Sequence, residues 1–162
     1  MLSIIKQFDL PSEFSKEVIN EAKSVSLEPI SLKYRRDLRD QEIFTIDGED
    51  AKDLDDAVCV KKLSDGNYEL GVHIADVSHY VRENTEINRE AVNRSTSVYM
   101  LDRVIPMLPV ELSNGCCSLN EGVDRYAMSC VMKINKRGDV IDADVFKSVI
   151  NVTKRMNYHE VQ

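Results

Sequence analysis

The sequence predicts an α+β fold: a β-rich antiparallel sheet with hairpins and a few helices. Three observations carry that expectation. Apolar residues alternate through several short runs, a Ser64-Asp65-Gly66-Asn67 turn signal separates two of them, and two other stretches follow a helical period. At 162 residues, with 43% hydrophobic and 30% charged residues, the chain is long enough for one domain with its own core.

The elements follow in chain order. After Pro11, the spacing of Phe14, Val18, Ile19, Ala22 and Val25 predicts a helix, with Ser12 as its N-cap. Pro29 and the basic run from Lys33 to Arg39 break that period, so the first segment reads as a helix and a connector rather than part of a core. Residues 43–46 form a short strand leading into an acidic loop. Residues 57–63 and 68–75 are two strands joined by the 64–67 turn as a hairpin. Residues 85–94 read as a short helix capped by Asn84 or Thr85. Residues 98–109, punctuated by Pro106 and Pro109, read as extended or irregular, and residues 110–114 as one helical turn closed by Gly115. In 126–134 the residues Tyr126, Met128, Cys130, Met132 and Ile134 point one way. A turn at 135–138 leads to a strand over 140–152. From residue 149 to the end there is no glycine, proline or tail-like composition, so the chain is expected to be cut in mid-element.

The net charge of −7 argues against a polyanionic partner until its distribution is considered. Residues 40–56 alone carry −7, residues 125–162 carry +3, and a divalent cation or two would largely neutralise the acidic block. No apolar run approaches the length of a membrane helix, and the N-terminus lacks a signal-peptide pattern, so the expected location is cytoplasmic with no membrane partner. Cys59, Cys116, Cys117 and Cys130 form no CxxC pair and read as reduced thiols.

The acidic block is TIDGEDAKDLDDAV, residues 45–58. Two unit charges about 4 Å apart repel by roughly 1 kcal/mol in water and roughly 4 at an effective dielectric near 20. Its carboxylates therefore either splay into solvent or are held by something cationic. Asp47 ends one strand and Asp56 precedes the next, Asp53 and Asp55 share a side in an extended loop, and Gly48 permits the exit. Asp47, Asp53, Asp55 and Asp56 can thus converge, with Glu49 and Asp50 facing solvent. Carboxylates without histidine or cysteine suit Mg²⁺ or Mn²⁺. The alternative is a solvated acidic loop. An EF-hand is excluded, because counting from Asp47 position six is Lys52 and position twelve is Val58. Two metal ions held about 4 Å apart suit phosphodiester hydrolysis.

The same stretch resembles the signature of the ribonuclease II / ribonuclease R family, the RNB-domain 3′→5′ exoribonucleases. Asp47, Asp53, Asp55 and Asp56 meet the spacing Asp-x5-Asp-x-Asp-Asp. The run Arg35-Arg36-Asp37-Leu38-Arg39 and the stretches LGVHIADVSHYV (70–81), NRSTSVYMLDRVIPMLPVELSNGCCSLN (93–120) and DRYAMSCVMKI (124–134) follow in order, with more likeness to the ribonuclease R branch. The resemblance implies a processive, Mg²⁺-dependent hydrolase acting on single-stranded RNA from the 3′ end and releasing nucleoside 5′-monophosphates. It implies Asp47 and Asp56 as direct metal ligands and Asp53 as completing the site. Asp55 would be nearest the second metal and the leaving 3′ oxygen. Tyr99 resembles an aromatic that stacks on RNA bases, and Tyr158 in RMNYHEV a second tyrosine near the cleaved end. Taken alone, either tyrosine reads as a half-buried core residue.

Family members carry cold-shock-like domains before this region, an OB-fold after it, and a later RNB half that supplies a catalytic arginine. The resemblance therefore divides the chain into an N-terminal helix and basic connector over 1–39 and a truncated N-terminal half of the RNB catalytic domain over 40–162. A competing expectation is a folded but catalytically silent module that binds RNA weakly or self-associates through the truncated edge. His73, Asp76 and His79 lie close in sequence but read as hydrogen-bonded or surface groups rather than ligands. Lys33, Arg35, Arg36 and Arg39 could meet phosphate or form a solvated linker. Ser113 and Ser118 lack a neighbouring base for nucleophilic catalysis.

Overall fold

The computed structural model describes residues 2–162. Among them, seven strands form one sheet in the order β1-β8-β7-β4-β3-β2-β9, and two short strands form a separate hairpin, β5-β6. The strands are β1 Arg36–Asp37, β2 Phe44–Asp47, β3 Asp56–Lys62, β4 Tyr68–Ala75, β5 Val98–Tyr99, β6 Val104–Ile105, β7 Asp124–Ile134, β8 Val140–Asn151 and β9 Lys154–Asn157. Helices α1 Leu2–Gln7, α2 Lys16–Ser26, α3 Val77–Tyr80, α4 Glu86–Arg94 and α5 Tyr158–Val161 connect or flank them. The four central pairings are antiparallel. The outer pairs, β1 with β8 and β2 with β9, run parallel.

The β3–β4 hairpin closes as its turn residues predict. Gly66 adopts φ +80, which a side chain would strain, and its amide donates to the Leu63 carbonyl. Helix α4 is capped by Thr85, whose hydroxyl accepts from the Asn88 amide. Helix α2 starts later than its periodicity suggests: Ser15, not Ser12, is the N-cap and accepts from the Val18 amide. A cap must sit two or three residues before the amide it satisfies, and Ser12 lies too far back for Val18. Within 98–109, Val98 pairs Ile105 and Tyr99 pairs Val104, so the stretch folds back as a hairpin that Pro106 ends. The turn expected at 110–114 is a π-helical turn, Glu111–Cys116. Gly115 lies inside it as a non-helical kink rather than closing it (φ −102, ψ −113).

Two apolar clusters cover opposite faces of the sheet. Val18, Ala22, Tyr80, Ile87 and Leu112 pack on Tyr126 and Val149. Ile43, Leu54, Leu119 and Val152 pack on Ala127 and Ile150. Tyr126 and Ala127, like Val149 and Ile150, are neighbours in sequence and so face opposite ways. Only Tyr126 of the alternating set in β7 is buried, whereas Ala127 and Ser129 on the other face are fully buried. The first segment is also more than a connector, since Val18 and Ala22 of α2 belong to the core. Arg35 enters the protein as well: its guanidinium lies 4.1 Å over the Tyr126 ring and pairs with buried Asp76.

Candidate active site

Strands β2 and β3 are antiparallel neighbours, so the end of β2 at Asp47 and the start of β3 at Asp56 meet at one end of the sheet. Between them, residue by residue, the loop is fastened to the rest of the protein. Leu54, the one large apolar residue between Asp47 and Asp56, is fully buried in the core with Leu119 and Ile150. That burial is worth about 2 kcal/mol and turns its neighbours Asp53 and Asp55 outward. The Ser118 hydroxyl accepts from the Leu54 amide at 3.1 Å and donates to the Lys52 carbonyl at 2.9 Å. The Leu119 amide donates to the Leu54 carbonyl and the Ala75 amide to the Asp55 carbonyl. From β9, the Arg155 guanidinium donates to the carbonyls of Glu49 and Ala51, both at 2.8 Å.

The side chains on this frame are electrostatically coupled. Burial, then the charges of Asp56 and Asp53, raise the Asp47 pKa, and the Arg155 charge works against that rise. Burial and the charges of Asp53, Asp56 and Asp47 raise the Asp55 pKa. The four carboxylates therefore occupy one field that is short of positive charge. Glu49 and Asp50 are exposed, as expected. Among the described residues, no three His, Cys, Asp or Glu side chains close into a ligating group. The donor set nonetheless fits a hard divalent cation: it is all carboxylate, and burial together with mutual repulsion raises the pKa of two members.

Tyr99 is 68% exposed on the β5–β6 hairpin and donates its hydroxyl to Asp53 Oδ2 at 3.0 Å. That hydrogen bond, then burial and the carboxylate charges, raise the phenol pKa. Tyr99 and Asp53 together line two cavities, of about 580 and 390 Å³; the second also takes in Asp55. Tyr158 is 62% exposed at the start of α5, directly after Asn157, which pairs with Asp47 across the β2–β9 register. Neither tyrosine is a half-buried core residue. Tyr99 meets the acidic loop through Asp53, and Tyr158 follows the residue paired with Asp47.

The other candidate groups are engaged elsewhere. His73 is fully buried, with Nδ1 2.7 Å from Ser129 Oγ and Nε2 3.5 Å from Cys59 Sγ. Asp76 binds Arg35. Arg36 pairs with Asp144 and stacks on Phe146, and Arg39 bridges Asp37 and Asp124, so these cations are already partnered. Ser118 braces the loop backbone. The isolated leucine in an acidic run was a visible signal for Leu54; Ser118 and Arg155 carry no local one.

A mainly antiparallel sheet with a four-aspartate loop pinned at its end, beside an exposed tyrosine hairpin, has the architecture of an RNB domain. The family model for the RNB domain matches residues 35–162. Ribonuclease R of Thermotoga maritima is 56% identical over 98% of the chain, and ribonuclease R 1 of Lactococcus lactis 53% identical over 99%. The solved structure of Mycoplasma genitalium RNase R in complex with ribose methylated single-stranded RNA superposes on 99% of the chain with a TM-score of 0.91 at 34% identity. The chain belongs to the RNB-domain ribonuclease II/R family, with its similarity on the ribonuclease R side. It spans 23% of the Thermotoga relative, 20% of the Lactococcus one and 25% of the Mycoplasma chain. Among the described residues, no helix is long and apolar enough to cross a membrane.

Proposed function

We propose that this chain carries the metal-binding part of a cytoplasmic exoribonuclease site that hydrolyses single-stranded RNA from the 3′ end and releases nucleoside 5′-monophosphates. The observation that carries the reading is the Asp47–Asp56 loop, fastened by Leu54, Ser118 and Arg155 with its carboxylates in one field. Asp47, Asp53, Asp55 and Asp56 would hold Mg²⁺, with Mn²⁺ as the alternative. Such a cation supplies Lewis acidity and offsets charge that develops during phosphodiester hydrolysis. Tyr99 and Tyr158 offer exposed rings on which bases of any identity can stack, which suits a sequence-indifferent substrate. Residues 40–162 would be the first half of the catalytic domain and residues 1–39 its lead-in. Four free cysteines suit a reducing compartment.

Calorimetric titration with Mn²⁺ tests the site. Asp47→Asn and Asp56→Asn are each expected to weaken binding by about tenfold or more. Identical isotherms for the wild type and both variants would sink the assignment.

A second reading is a catalytically silent module that only binds RNA or self-associates. Two observations favour it. The carboxylates do not close into a ligating group among the described residues. The fold also occurs in yeast Ssd1, a pseudonuclease, with a TM-score of 0.74 and 25% identity. We expect the 162-residue chain alone to release mononucleotides from single-stranded RNA slowly or not at all. Incubation of uniformly labelled RNA with the pure chain and Mg²⁺ checks this, and robust Mg²⁺-dependent release of mononucleotides would refute it.

A further inference from the structure

We infer that Arg155 is a positioning residue of the acidic site: its guanidinium holds the backbone of residues 48–51 and so keeps the carboxylates on either side in one arrangement. The functional half of this inference rests on the metal reading above. Arg155 lies on β9, whose parallel pairing with β2 sets Thr45 opposite Arg155 and Asp47 opposite Asn157. Its own amide donates to Glu121 Oε2 at 2.8 Å, which fixes where the side chain starts. From there a single nitrogen, Nη2, reaches the carbonyls of Glu49 and Ala51 at 2.8 Å and that of Gly48 at 3.4 Å. Nη2 carries two hydrogens, so the two near carbonyls take them and the third shares.

Glu49 and Ala51 lie in a turn, outside any helix or strand, so no ladder partner takes their carbonyls. The loop is otherwise held at its ends: Asp47 by β2, and residues 52–54 by Ser118 and the buried Leu54. Between those anchors, among the described residues, only the Ala51 amide to the Gly48 carbonyl stiffens the turn from within. Bonds from a charged donor are about twice as strong as neutral ones. All the side-chain bonds of Arg155 go to carbonyls, so it brings positive charge to the loop without consuming a carboxylate oxygen.

Charge and positioning predict opposite signs, which makes the test sharp. If Arg155 were only a nearby cation, Arg155→Ala would tighten binding of a divalent ion. If it positions the loop, Arg155→Ala weakens it. The expected result on the 162-residue chain is about tenfold faster hydrogen exchange at the Ala51 and Leu54 amides, with β7 amides unchanged as the folding control. The Mn²⁺ dissociation constant should rise by about tenfold or more. Arg155→Lys, which keeps the charge on a differently shaped donor, should recover only part of both effects. Unchanged loop exchange in Arg155→Ala, or faster exchange with equal or tighter Mn²⁺ binding, overturns the inference. A wild-type chain that binds no Mn²⁺ defeats the metal reading instead, and the exchange result then decides on the clamp alone.

Discussion

Replacing Asp76 by alanine is expected to destabilise the protein by about 3–5 kcal/mol, a large share of the roughly 5–15 kcal/mol that holds a domain folded. Asp76 Oδ2 accepts from Arg35 Nη2 at 2.6 Å, and the two side chains are 0% and 5% exposed. Burial by itself would raise the carboxyl pKa. The hydrogen bonds from Arg35 and Ser78 and the charges of Arg35 and Lys147 more than offset this and hold it below the usual range. Arg35 is committed as deeply: Nη1 donates to the Ser148 carbonyl at 3.3 Å, and the guanidinium lies on the Tyr126 ring. Truncating Asp76 leaves that cation buried with no counter-charge. Urea unfolding measures the loss. The double variant Arg35→Met with Asp76→Leu should recover most of it, since an apolar pair of similar volume leaves no orphaned charge. A cost below about 1 kcal/mol for Asp76→Ala would mean the pair is solvated.

That ion pair also marks where sequence reasoning stops. The 64–67 turn, the helix over 85–94 and the aspartate spacing were legible because turn chemistry, period and motif are local. Arg35 and Asp76 are 41 residues apart, and Arg155 and Ala51 104 apart, so nothing near either residue announces its partner. The same applies to the outer strands. β1 has two residues and β9 four, each paired in parallel with a strand distant in sequence. Strands that short carry too few positions for alternation to show, so the basic run around Arg36 read as a linker and residues 154–157 were not singled out as a strand. In β7 the alternation gave direction and said nothing about burial. Tertiary packing covers both faces at Tyr126 and Ala127, and a period-2 pattern reports only parity.

The second large effect is a pH dependence set by His73. The ring is fully buried beside Gly71, where a Cβ would come within 2.5 Å of Cys59 Sγ and 2.9 Å of His73 Nε2, so no side chain fits there. Ser148 Oγ donates to the Ala127 carbonyl, so its remaining role toward Ser129, 2.6 Å away, is to accept. Ser129 therefore donates to Ser148 and accepts from His73, which fixes the proton on Nδ1 and leaves Nε2 as a lone pair facing Cys59. Burial also raises the Cys59 pKa, so no thiolate stands ready to stabilise a charged ring. Burial pushes the His73 pKa from 6.5 down to about 4. The unfolded chain then binds a proton that the folded chain refuses between those two values, so stability rises with pH across that window. The contribution is complete above about pH 6.5, falls away as pH drops toward 4, and amounts to about 3 kcal/mol. Burial and the Arg35 and Arg82 charges lower the pKa of His79 too, with the same sign, so the two histidines must be separated. His73→Asn keeps an N–H for Ser129 but cannot titrate. Urea unfolding at pH 7 and pH 4.5 should show a much smaller stability loss in that variant than in the wild type. Equal losses in the two would place the proton uptake elsewhere, with His79→Gln identifying whether it lies there.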